Sequence, residues 1–152
     1  MRTFLDYLRL LLVSPELLTL VAMAGLFVWL PEPFELVTSL IVSDIRWAVG
    51  AAGMPLGLLA ISYTFSTDLL SPQGKRLLLL DWPDYPMLKR RVLFTLGACS
   101  LGFLLVVAGL FLVAKHKLSE GTALIAAGIS CSAVSLATIA LAKWSARELL
   151  RE

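Results

Sequence analysis

The side chains able to do chemistry in this 152-residue chain are few, and most stand alone. Asp81 and Asp84 lie three residues apart in LLLLDWPDYPMLKRR, residues 77–91. Two carboxylates can divide general-acid and general-base roles, so a lipid-modifying centre is conceivable there, but no supporting residues accompany them. His116 is the single histidine and stands between Lys115 and Lys117, cations that disfavour its imidazolium form. It has no second histidine and no nearby cysteine with which to hold a metal. Cys99 and Cys131 fall within separate apolar runs, where cysteine behaves as a small apolar residue. Glycine-rich phosphate loops, Ser-His-Asp sets and metal-ligand spacings are lacking. The expectation is a protein that is not an enzyme and carries no catalytic residues, metal or cofactor.

The elements that hold these residues are set by composition. Hydrophobic residues make up 59% of the chain and charged residues 16%, against roughly 45–50% and 25% in a soluble domain. A helix crossing a ~30 Å hydrocarbon core needs about 20 apolar residues. Residues 92–114 and 121–142 meet that length, and 47–67 is uncharged but interrupted by Gly50, Gly53, Pro55 and Gly57. The run 17–31 is shorter. The expected fold is an all-α integral membrane protein, a single-domain bundle of four transmembrane helices at about 15–31, 47–67, 87–114 and 121–143. At the first of these, Ser14-Pro15-Glu16 reads as a helix start, with a serine cap, proline in first position and an acid at the positive end of the dipole. The alternative is one longer helix that Pro15 kinks. Upstream, Arg2, Asp6 and Arg9 oppose Phe4, Leu5, Leu8 and Leu11, as in a short amphipathic helix at a membrane surface. A cleaved signal peptide is disfavoured by Asp6, Pro15 and the lack of a small-residue cleavage pattern.

Cation placement gives orientation. With four crossings one side receives Arg2, Arg9, Lys75, Arg76, Lys89, Arg90, Arg91, Lys143, Arg147 and Arg151; the other receives Arg46, Lys115 and Lys117. Short cytoplasmic segments are the ones enriched in Lys and Arg, so both termini and the 68–86 loop are expected in the cytoplasm, the membrane being a bacterial inner membrane.

That loop carries the candidate binding residues Lys75, Arg76, Trp82, Tyr85, Lys89, Arg90 and Arg91. It is too apolar at 77–82 to stay solvated, and Pro83 and Pro86 prevent one continuous helix through it. Asp84 can cap the helix that follows. Two uses are open. The aromatic rings and cations can anchor a helix end in anionic headgroups, at ~1 kcal/mol per cation. Alternatively they form a docking site in which Trp82 is the anchor and the cations steer an acidic partner.

Between helices, lipid supplies no hydrophobic drive, so small residues govern close approach. The expected packing residues are Gly53 and Gly57 beside Pro55, which permits a broken helix; Ala98, Gly102 and Gly109; and the stripe Ala126, Ser130, Ala133, Ala137 and Ala140. They serve the bundle itself or a homo-oligomer. Conductive pathways place ionisable residues inside the crossings, and none stands between the ends of these four. Ser62, Thr64, Thr95, Ser100, Ser130, Ser132, Ser135 and Thr138 could line a pore only in an oligomer. The leading expectation is a small polytopic protein that acts by binding: an anchor, sensor or regulatory subunit for a soluble cytoplasmic partner, as in envelope, toxin–immunity or defence systems. An oligomeric pore is the alternative and a membrane-embedded enzyme the third. The partners expected are the lipid bilayer with its anionic headgroups and a second copy or docking subunit, not nucleic acid.

Overall fold

The computed structural model describes residues 14–43, 45–71 and 82–149, and all regular structure among them is helical. Five helices follow in order: α1 (Pro15–Trp29), α2 (Glu32–Ser43), α3 (Ile45–Leu70), α4 (Tyr85–Ala114) and α5 (Leu118–Leu149). Residues 1–13, including the amphipathic N-terminal stretch, and 72–81, including Lys75 and Arg76, lie outside the described residues. Two helices are long and apolar enough to cross a membrane, Tyr85–Ala114 and Leu118–Ala146. By length and composition among the described residues, α1 and Glu32–Ser39 reach crossing length only when taken together, and the chain bends by 93° between those two. This is a membrane protein by the length and apolarity of α4 and α5.

Helix α1 begins at Pro15. Ser14 is extended (φ −72°, ψ 126°), and its Oγ accepts the Leu17 N–H at 3.2 Å, so the serine ends any helix arriving from upstream. The helix stops at Trp29 because Pro31 lacks an N–H and disfavours helical backbone at Leu30. The chain then turns into α2, an element absent from the sequence expectation, which ran the first crossing to residue 31. Helix α2 is tied back by the Phe27–Phe34 edge contact (5.5 Å, 84°) and by Thr38 Oγ1, 2.7 Å from Thr122 Oγ1 on α5. Its Leu36 and Val37 remain exposed.

Helices α4 and α5 form the densest pair in the fold. The turn between them closes with His116 at φ 63°. The His116 N–H donates to the Val113 carbonyl and the Lys117 N–H to the Leu112 carbonyl, each at 3.0 Å. This is the helix-ending arrangement that places one left-handed residue after the last turn, a position glycine usually takes. His116 is thus a turn residue.

Down the pair runs a seam of glycines, seven residues apart on each helix. A Cβ on Gly109 would lie 2.6 Å from the Gly121 carbonyl oxygen, and one on Gly102 would lie 2.7 Å from that of Gly128. Only glycine at these places lets the backbones meet. Continuing this antiparallel register brings Thr95 level with Ser135.

Helix α3 completes the bundle. It runs unbroken through Pro55, which is buried; the kink or break that Pro55 permits is not realised as a helix end. Cys99 Sγ donates to Ser62 Oγ at 3.8 Å. Near the end of α3, Asp68 pairs with Lys143 of α5 at 2.7 Å, and the same ammonium lies 4.2 Å from the Phe65 ring centre.

Candidate functional site

Two places bring polar chemistry together. The first is the end of the bundle where α3 stops and α4 starts, hereafter the loop end. Tyr85 is 8% exposed, and its hydroxyl donates to the carbonyls of Leu69 (3.1 Å) and Leu70 (3.3 Å). Those carbonyls belong to the last turn of α3, which has no intrahelical donors left for them. Tyr85 therefore clamps one end of the long connection to the other. It sits with Leu69, Val92 and Ala146 in a small core against which Trp82 packs, half-buried. The aromatic pair expected at a headgroup boundary or partner surface is thus largely internal. Asp84 occupies the cap position of α4 but makes no side-chain capping bond; its backbone carbonyl accepts the N–H groups of Met87 and Leu88. Lys89 and Arg90 are exposed, whereas Arg91 is half-buried in a cleft with Pro15, Thr95 and Thr138.

The second place was missed in the sequence, where Glu16 served only as a helix-start acid. Glu16 is 2% exposed, and neither of its carboxyl oxygens has a hydrogen-bond partner. It lines a cleft of about 360 Å³ together with Phe94, Gly97 and Ala98 of α4, and Leu17, Leu20, Leu93 and Leu101 help to form it. On the α5 side Glu16 lies within electrostatic reach of Cys131, whose thiol donates to the Ala98 carbonyl at 3.5 Å. Thr95, one turn before Ala98, and Ser135, one turn after Cys131, are also buried; the Thr95 hydroxyl has no partner, and that of Ser135 has only the Cys131 thiol beside it. Burial here follows from the helix face. Positions 131, 135, 138 and 139 of α5 share one side, and α1 packs mainly against α5. The N–H groups of α1 give Glu16 little help. Pro15 has none, while those of Leu17 and Leu18 are taken by the Ser14 hydroxyl and carbonyl.

The expected small-residue contacts fall elsewhere. Ala133 and Ala137 are exposed, and Ala126 and Ser130 are half-buried. Gly53 and Gly57 are exposed, with open space where a Cβ would go. Within the chain the contact belongs to Gly102, Gly109, Gly121 and Gly128, the last two unanticipated, with Ala98 half-buried beside them. Ser62, Thr95, Ser132 and Ser135 are buried inside the single chain.

No family model, no curated protein and no solved structure matches the chain.

Proposed function

We propose that the protein is a membrane subunit that acts by binding, with its loop end in the cytoplasm presenting a shaped docking surface to a soluble partner. The arrangement invoked is the four-crossing one with both termini inside: α1, α3, α4 and α5 cross, and α2 lies along the outer face. Helix α3 has 26 residues, enough for ~39 Å of rise, and the excess of cations on the loop side supports the orientation.

The observation that carries the reading is the Tyr85 clamp. A connection of this length is ordinarily loose, yet both of its ends are fixed to one another and to the bundle by Tyr85 and Trp82. Fixing the ends spends part of the ordering entropy before any partner arrives, which favours binding through preorganisation. Trp82 supports the surface from within, so recognition falls to the exposed side chains around it: Met87, Lys89 and Arg90, with Trp144 of α5 at the same end. The oligomeric-pore alternative is weakened because four of its candidate lining hydroxyls are enclosed within one chain.

The test places a photocrosslinking residue at Met87 in native membranes. A discrete protein adduct is expected, and it should be lost when Lys89→Glu and Arg90→Glu are combined at unchanged chain abundance. Adducts to lipid alone, or a protein adduct indifferent to the charge reversal, would reject docking at this surface.

A further inference from the structure

We infer that Glu16, Thr95 and Ser135 form a binding site for one alkali-metal cation within the helix bundle. This goes beyond the docking role and does not rest on it. Three buried side chains from three helices contribute four oxygens: those of Glu16 and Thr95 have no protein partner, and that of Ser135 has only the neighbouring Cys131 thiol beside it.

The register argument places them together. Thr95 and Ser135 are level across the α4–α5 seam, extrapolated from the Gly102–Gly128 and Gly109–Gly121 contacts. Pro15 shares a cleft with Thr95, Thr138 and Ile139, and Glu16 shares the next cleft with Ala98, one turn further along, within electrostatic reach of Cys131. All three therefore lie on the side of the seam that α1 covers. Ala98 is seven residues beyond Arg91 on α4, or ~10 Å of helix rise, so the carboxyl is well inside the apolar segment. A carboxyl inside a membrane bundle faces partners or marks an ion pathway, because an unpaired one is expensive there.

Chemistry selects the occupant. Carboxylate and hydroxyl oxygens are hard donors suited to hard cations, and the soft or borderline metals need imidazole or thiolate ligands. Among the described residues no cluster of three His, Cys, Asp or Glu side chains exists to hold such a metal. One carboxylate balances one positive charge. A monovalent ion leaves the site neutral, whereas a divalent ion leaves a net charge in a low-dielectric interior. Arg91, in the neighbouring cleft beside Pro15 and Thr95, is the side chain that could compete for the carboxylate.

The experiment is equilibrium binding of ²²Na⁺ and, separately, ⁸⁶Rb⁺ to the purified full-length protein in detergent, with choline holding ionic strength constant. Saturable binding of one of them is expected at about one per chain. Glu16→Gln should abolish it, and Thr95→Val and Ser135→Ala should each weaken it at least tenfold while the protein elutes at the wild-type volume. The two conservative variants keep the test decisive if Glu16→Gln does not fold. Absence of saturable binding of both ions by the folded wild-type protein overturns the site, whether a proton or Arg91 then neutralises Glu16. Binding unchanged in Thr95→Val and Ser135→Ala, or displaced by Ca²⁺ at lower concentration than by either alkali ion, overturns it equally.

Discussion

Replacing Gly128 by alanine probes the seam with a single methyl group. That carbon would collide with the Gly102 carbonyl oxygen and lie 2.7 Å from Val106 Cγ2 and 3.0 Å from Val106 N. Two of these three neighbours are backbone atoms. The third belongs to a β-branched residue, whose helical χ1 is held close to one rotamer. Ordinary carbon contacts begin near ~3.5 Å, so the helices must part by roughly 0.8 Å. Overpacking of this kind costs about 1–3 kcal/mol, and a gap of that width forfeits a quarter to a half of each dispersion contact along the seam. Gly128→Ala should therefore destabilise by ~2–3 kcal/mol. The assay is reversible unfolding in mixed micelles against the mole fraction of a denaturing detergent, followed by circular dichroism. Ala133→Leu adds far more bulk at an exposed position and should shift monomer stability by less than ~0.5 kcal/mol. Combining Gly102→Ala with Gly128→Ala should cost less than the sum, because both carbons open the same crossing. A Gly128→Ala protein as stable as wild type, or an Ala133→Leu protein equally damaged, would refute the seam as the source of cohesion.

The other expectations concern the loop end. Tyr85→Phe removes the donor to the Leu69 and Leu70 carbonyls and should cost ~0.5–1.5 kcal/mol, with limited proteolysis between residues 71 and 84 accelerated several-fold; cleavage at the wild-type rate would deny Tyr85 its clamping role. Single cysteines at Gly74 and Ser119, in a background lacking Cys99 and Cys131, report orientation: an impermeant thiol reagent added outside intact cells should modify Ser119→Cys alone, and modification of Gly74→Cys instead would invert the topology.

What could be read from residues alone was local. The start of α1 was legible because Ser14, Pro15 and Leu17 settle it among themselves, and α4 and α5 because uninterrupted apolar length needs no partner to be recognised. Helix α2 was not, since Glu32, Pro33 and Glu35 break the apolar pattern and its direction depends on Thr122, 84 residues away from Thr38. The seam within the chain was legible on α4, at Gly102 and Gly109, but not on α5, for a related reason. Helix α5 carries two small-residue lines, one through Ala133 and Ala137 and one through Gly121 and Gly128, and only the facing glycines of α4 select between them. Glu16 posed the same difficulty more sharply. An acid in the first turn of a helix is usually solvated, and nothing near it in sequence announces that α4 and α5 will cover it.

The α4–α5 hairpin holds its own seam and its own turn, and α1 needs that hairpin to bury Glu16. Synthesis delivers these parts in the opposite order. By the time the Gly121 half of the seam leaves the ribosome, Glu16 has already been made, more than a hundred residues earlier, with no surface yet built to receive it. A chain truncated before α5 lacks the surface that covers Glu16, so its carboxyl is left without the burial it has in the folded protein.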